Sequence, residues 1–85
     1  MAEIEIYTWS TCPFCQRAKA LLEKKGLDYT EYEISGDEDA REKMKQRADG
    51  RKTMPQIFIN NVGIGGCDEL HDLENNGKLD EMVAA

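Results

Sequence analysis

The sequence lacks the features that several classes of protein require. It has no apolar run approaching the ~18 residues of a membrane span, and no basic start followed by an apolar stretch and a small-residue cleavage site. We therefore expect a soluble cytoplasmic protein with no membrane partner. It has three cysteines, an odd count that rules out complete internal pairing, so a framework of structural disulfides is disfavoured.

Positive charge is scarce and unevenly placed. The net charge is −6, which argues against nucleic acid as a partner because phosphate binding needs cations over most of a face. Ten of the eleven Lys and Arg residues lie between Arg17 and Lys52, whereas six acids and only Lys78 follow. These cations form either solvated helix faces or a local patch for a small anionic ligand.

The patterning predicts one α/β domain over residues 1–85, and we expect a monomer. Ile4 and Ile6 alternate with acids, which is typical of a strand that ends near Thr8. A helix is predicted from Pro13 to a stop at Gly26, with Thr11 or Cys12 at its boundary and with one apolar face formed by Phe14, Ala18, Leu21 and Leu22.

The remaining elements follow from similar local signals. A second strand is predicted around Tyr29 and Tyr32, and a second helix after a capping box formed by Ser35 and Glu38. Residues 57–59 and 62–64 form a hairpin around Asn60-Asn61, and Asp68 is the predicted N-cap of a third helix, followed by a short helical turn with Leu79 and Met82. The order β-α-β-α-β-β-α requires a mixed sheet.

Cys12 and Cys15 lie two residues apart where the first strand gives way to the first helix. They could be a disulfide staple, half of a metal site or a redox pair. A thiol at a helix start faces unpaired N–H groups and the positive end of the helix dipole, which stabilise a thiolate. Cys15, one turn further on, is expected to be more buried. A C-x-x-C near a βαβ pattern favours the redox pair.

Zinc binding is the alternative for the same cysteines. Cys12, Cys15, Cys67 and His71 are ligands of acceptable kinds, in the pattern C-x-x-C and C-x-x-x-H. The two halves are far apart for a small zinc module, and the chain has enough apolar strands to fold without metal. We therefore expect no metal site.

Three motifs together resemble a known family. "TCPFC" after a strand, "TMPQIFI" before the third strand and "GGCDEL" opening a late helix are similar to dithiol glutaredoxins of the small bacterial type, within the thioredoxin superfamily. Thioredoxin itself is less similar, since its active site carries Trp-Cys-Gly-Pro-Cys and it lacks the late Gly-Gly-Cys-Asp element. The resemblance implies a thioredoxin-like fold, a four-stranded mixed sheet with helices on both faces, and a cis peptide bond before Pro55.

The resemblance also implies a glutathione site. Met54 would pair through its backbone with the cysteinyl part of glutathione, Gly66, Cys67 and Asp68 would receive the γ-glutamyl end, and a basic residue would bind the glycine carboxylate. Lys52 is the first candidate for that cation, with Arg47 and Arg51 next. The expected glutathione contacts are Pro13, Phe14, Lys52, Thr53, Met54, Pro55, Gly66, Cys67 and Asp68. Trp9 stands where relatives commonly have lysine, and Phe14 replaces the more frequent tyrosine, so any stabilisation of the thiolate by a cation would fall to Arg17.

The activity implied is glutathione-dependent thiol–disulfide exchange. Cys12 would attack a protein disulfide or a glutathionylated protein, and Cys15 would resolve protein adducts, so the pair forms the redox-active disulfide. Free glutathione, renewed by NADPH and glutathione reductase, would supply electrons. The alternative from another class is an iron–sulfur carrier, in which Cys12 of two chains and two glutathiones hold a 2Fe–2S cluster. Pro13 disfavours it, because cluster-binding relatives usually have a small residue there.

Overall fold

The computed structural model describes residues 3–51 and 53–84. The first half of the chain forms β1 (Ile4–Thr8), α1 (Pro13–Lys24), β2 (Thr30–Glu33) and α2 (Glu38–Arg47). The second half forms β3 (Gln56–Ile59), β4 (Val62–Gly65), α3 (Cys67–Asn75) and α4 (Lys78–Ala84). The predicted order is confirmed, and the predicted final helical turn is a separate helix of seven residues.

The four strands form one mixed sheet in the order β2-β1-β3-β4. β1 pairs with β2 in parallel, through the crossover helix α1, and with β3 antiparallel. β3 and β4 form the predicted hairpin, and its turn residues Asn60 and Asn61 have φ values of 51° and 70°. Positive φ at both positions is what a two-residue turn between twisted strands requires.

The core lies between the sheet and the helices α1, α3 and α4. Alternate residues of β1 point into it, and Ile57 and Ile59 of β3 enter from the neighbouring strand. The helices contribute Ala18, Leu22, Cys67, Leu70 and Leu79. Burial of these apolar side chains fixes the position of the end of β1 relative to the start of α1. No helix among the described residues is long and apolar enough to cross a bilayer.

Two predicted helix caps are wrong. Asp37 caps α2, since its Oδ1 accepts the Ala40 N–H at 3.0 Å, whereas the Ser35 hydroxyl oxygen accepts the Ser10 N–H at 2.6 Å. Ser35 therefore ties the loop after β2 to the loop after β1. Asp68 lies inside α3, whose N-cap is Gly66. Before α2 two polar residues could cap the helix, and a tertiary contact engages Ser35, whereas α3 begins directly after Gly66 and so includes Asp68 in its first turn.

Candidate active site

Cys12 is the N-cap of α1. Its backbone is extended, with φ −103° and ψ 108°, and its Sγ accepts the N–H of Cys15 at 3.3 Å. The same sulfur lies 3.8 Å from the carbonyl oxygen of Met54, to which the thiol donates. The side chain is half-buried, so a reagent can reach it. An N–H donor and a helix N-terminus together direct positive potential at this sulfur.

Cys15 differs from Cys12 in its environment. It is fully buried, and all three cysteines of the chain are free thiols. Burial, and then the hydrogen bond with Cys12, raises the pKa of Cys15 to about 12. The Cys15 side chain is therefore a neutral thiol near neutrality. The accessible sulfur of Cys12 and the buried, protonated sulfur of Cys15 thus lie one helical turn apart.

The segment before β3 faces Cys12. The Met54-Pro55 peptide bond is cis, as predicted, and the Met54 carbonyl oxygen lies 3.8 Å from the Cys12 sulfur. The buried side chain of Gln56 donates from Nε2 to the Thr53 carbonyl at 2.9 Å and to the Thr53 hydroxyl at 3.0 Å. Gln56 therefore fixes the segment. The sequence analysis missed it, although a glutamine directly before the most apolar run, residues 57–59, was a usable signal.

The N-terminus of α3 packs against this segment. A Cβ at Gly66 would lie 3.1 Å from the Pro55 carbonyl oxygen, a tight contact, so the absence of a side chain at Gly66 favours the close approach of the two backbones. The Gly66 N–H donates to Glu69 Oε1 at 2.8 Å. Cys67 is buried, and burial, with the nearby Asp68 carboxylate, raises the pKa of its thiol. Asp68 is exposed.

Two grooves flank Thr53 and Met54. One is lined by Phe14, Thr53, Met54, Gly66, Cys67, Asp68 and Glu69. The other is lined by Trp9, Thr11, Cys12, Pro13, Arg41, Thr53 and Met54. The structure thus gathers most of the predicted site residues around one short segment, and buried Pro55 underlies it.

Of the cations predicted to bind the glycine carboxylate, Arg47 has a different role. Arg47 donates from Nη2 to Glu5 Oε1 at 2.6 Å, and its guanidinium lies 4.0 Å from the centre of the Phe58 ring. It fastens α2 to the sheet and lines neither groove. Arg51 is exposed, and Lys52 lies outside the described residues.

Among the residues that the structure describes, Arg41 is the cation that lines the Cys12 groove, and the sequence analysis did not single it out. Its guanidinium carbon lies 5.2 Å from the centre of the Trp9 ring. The signal in the sequence was its place within the cationic middle of the chain, but nine other cations share that stretch.

The four candidate zinc ligands do not assemble. Cys67 Sγ lies 3.5 Å from Nδ1 of His71, and that nitrogen is also 2.9 Å from the Cys67 carbonyl oxygen. Across the part of the chain that the structure describes, no three His, Cys, Asp or Glu side chains are grouped so that they could hold a metal ion.

A helix-capping Cys12 opposite a cis-proline segment, with a buried partner thiol one turn on, is the arrangement that the sequence motifs predicted. The family model for glutaredoxin matches residues 4–64. The chain belongs to the glutaredoxin family. Its resemblance to that family, its thioredoxin-like fold and its mixed sheet are thereby confirmed, and this glutaredoxin is a thiol–disulfide oxidoreductase.

Known proteins similar to this glutaredoxin cover nearly all of it. Glutaredoxin 3 of Escherichia coli strain K12 is 52% identical over 98% of this chain and 99% of its own. The solution structure of a Brucella melitensis glutaredoxin is 48% identical, with a TM-score of 0.85, over 98% of this chain and 89% of its own. A buckwheat glutaredoxin, solved as a complex with glutathione, is 28% identical, with a TM-score of 0.86, over 95% of this chain and 76% of its own.

Proposed function

We propose that this glutaredoxin uses glutathione as its reductant and reduces both glutathionylated proteins and protein disulfides. The observation that carries the proposal is that the two grooves share Thr53 and Met54, next to the Cys12 sulfur. A tripeptide lying along this segment would reach polar groups at both ends while its own sulfur faces Cys12. The glutathione complex of the buckwheat relative supports this choice of ligand.

Each part of glutathione has a matching group in the grooves. The γ-glutamyl carboxylate would meet the N-terminus of α3 at Gly66 and Cys67, and its ammonium would pair with exposed Asp68. The cysteinyl backbone would align with that of Met54 as an added strand. The glycine carboxylate would face Arg41, which lines the second groove. Lys52 remains a prediction from the sequence for this carboxylate.

Reduction of a glutathionylated protein needs only Cys12. Its thiolate attacks the glutathione sulfur of the mixed disulfide, a Cys12–glutathione disulfide forms, and the protein thiolate leaves and takes up a proton. A second glutathione thiolate then attacks the bound glutathione sulfur, which yields oxidised glutathione and restores Cys12. NADPH, through glutathione reductase, returns the two electrons to the glutathione pool.

Reduction of a protein disulfide also needs Cys15. Cys12 first forms a mixed disulfide with one protein sulfur, and the other protein sulfur leaves as a thiol. Cys15, deprotonated as it attacks, displaces the remaining protein sulfur, so that a Cys12–Cys15 disulfide forms. Two glutathiones then reduce that disulfide. A reduced glutathione pool is a property of the cytoplasm, where we propose that the enzyme acts.

Serine variants of each cysteine, assayed on both substrate types, test the proposal. With glutathione, glutathione reductase and NADPH, Cys15→Ser should keep reducing a glutathionylated peptide but lose dithiol reduction of a protein disulfide. Cys12→Ser should lose both activities, with the wild type as the reference. Glutathione-dependent turnover by Cys12→Ser would show that the nucleophile is misassigned. A wild-type enzyme that no glutathione concentration can reduce would refute the choice of reductant.

A further inference from the structure

The buried thiol of Cys15 has a cation one turn further along its own helix. Lys19 follows Cys15 by four positions in α1, and long side chains of a helix point back toward the preceding turn. The Lys19 ammonium lies 3.0 Å from Glu31 Oε2 of β2, and the Lys19 side chain is only 19% exposed. Glu31 Oε2 also accepts the hydroxyl of buried Thr8 at 2.7 Å. The ammonium is thus held between α1 and the end of β1.

We propose that Lys19 promotes the step in which Cys15 resolves a mixed disulfide. Its ammonium stabilises the negative charge that the Cys15 sulfur acquires as it attacks, and Glu31 and Thr8 hold the ammonium in place. The inference rests on the proposed dithiol route and deepens it, because it assigns a group to the step in which Cys15 must lose its proton.

The resolving step places a negative charge in a buried site. Burial, and then the hydrogen bond with Cys12, raises the pKa of Cys15, because both disfavour its thiolate. The Trp9 backbone N–H, which hydrogen-bonds to the Cys15 sulfur, and the Lys19 charge act in the opposite direction. Trp9 directly follows Thr8 in the chain. The N–H that meets the sulfur and the hydroxyl that anchors the ammonium network therefore belong to adjacent residues.

The chemistry of this step leaves Lys19 unchanged. Cys15 gives its proton to solvent, its sulfur forms a bond to the Cys12 sulfur, and the bond between Cys12 and the protein sulfur breaks. The protein thiolate leaves and takes up a proton. Lys19 keeps its own proton throughout and acts only by its charge, which water screens weakly at a largely buried position.

The chromogenic disulfide dithiobis(nitrobenzoate) separates the two cysteines in one experiment. Cys12 attacks the reagent and releases one thionitrobenzoate, at a rate that rises with the reagent concentration. Cys15 then attacks the Cys12 mixed disulfide and releases the second thionitrobenzoate, at a rate that reaches a constant value because the step is intramolecular. In Cys15→Ser this intramolecular release should be absent.

Lys19→Gln should slow the second release by about two- to fivefold and leave the first release unchanged. The change is a few-fold because the thiolate fraction falls without the ammonium, while the greater nucleophilicity of a more basic sulfur offsets part of that fall. Lys19→Arg, which keeps the charge, should largely preserve the wild-type rate. Lys24→Gln, the same loss of charge at an exposed position of α1, should change neither release.

Glu31→Gln separates the effect of charge from that of structure. Its amide oxygen can still accept from Thr8 and Lys19, but the countercharge is gone, so the second release should be at least as fast as in the wild type. A slower second release in Glu31→Gln would mean that the ion pair acts by tying α1 to β2, and would overturn the inference.

Three other results would overturn the inference and leave the proposed function intact. They are an unchanged second release in Lys19→Gln, equal slowing of both releases in that variant, and a second release in Lys19→Arg as slow as in Lys19→Gln. A wild type without a second release would overturn the dithiol route and the inference together.

Discussion

The Cys15 N–H donates to the Cys12 sulfur at 3.3 Å, so the two candidate redox cysteines are in contact while both are free thiols. Cys12 thereby fills the N-cap position that serine or aspartate often takes, with sulfur in place of oxygen as the acceptor. The cap that stabilises the helix and the contact that orients the sulfur are one interaction. Helix formation itself therefore orders the reactive group.

We predict that alkylation discriminates strongly between the cysteines. Because burial raises the pKa of Cys15 to about 12, only about one in 10,000 of its thiols is ionised at about pH 8. Limited iodoacetamide treatment followed by mass spectrometry should find Cys12 labelled first. In the Cys12→Ser variant, the rate at which Cys15 is labelled should rise about tenfold for each unit of pH. Equal rates at Cys12 and Cys15 near neutrality would contradict this assignment.

Gly65→Ala should destabilise the protein more than Gly77→Ala. Both glycines have positive φ, 106° and 73°, which costs an alanine about 1–2 kcal/mol. A Cβ at Gly77 meets nothing within 4 Å, whereas one at Gly65 would lie 2.5 Å from Glu69 Oε1. Urea unfolding should show the larger loss for Gly65→Ala, because Glu69 must also move and release the Gly66 N–H. Equal losses would mean that Glu69 relaxes freely.

Glu5→Gln should weaken the fold in a pH-dependent way. The Arg47 guanidinium holds the pKa of the largely buried Glu5 carboxyl below its ordinary 4.5. A carboxyl whose pKa is lower in the folded than in the unfolded protein stabilises the fold above about pH 4.5. This stabilisation is lost as the pH falls through the pKa of the folded state.

Wild type should therefore exceed Glu5→Gln by about 1–2 kcal/mol in urea unfolding at about pH 7, with a smaller difference at about pH 3. Glu42→Gln, an exposed carboxylate of α2, is the control and should change stability little at either pH. A gap between wild type and Glu5→Gln that stayed constant with pH would argue against the ion pair.

Gln56→Leu should impair the use of glutathione while the protein stays folded. The leucine fits a buried apolar site, and Thr53 is an exposed residue at which water can replace the lost donor, so the melting temperature should change little. Loss of the two hydrogen bonds to Thr53 should raise the KM for glutathione by about three- to tenfold. Gln46→Leu, at an exposed position of α2, is the matched control. An unchanged KM would show that Thr53 is held by other means.

Local signals in the sequence were sufficient to predict most of the helices and strands and half of the candidate site. Pro13 and Gly26 bound the first helix, and Asn60-Asn61 form the hairpin turn, because proline restricts φ at its own position and glycine and asparagine tolerate a positive φ at theirs. The place of Cys12 at a helix start follows from the same local rules. The three family motifs predicted the segments that the structure brings together around Thr53 and Met54.

Only the tertiary structure decided which polar side chains meet. Arg41 and Arg47 look equivalent in the sequence, yet one stacks on Trp9 beside Cys12 and the other pairs with Glu5 across the sheet. The choice depends on how α2 docks on β1, and Arg47 and Glu5 are 42 positions apart in the chain. No periodic pattern of residues within a single helix or strand encodes that docking. The cation beside the reacting sulfur was therefore set by packing between distant elements.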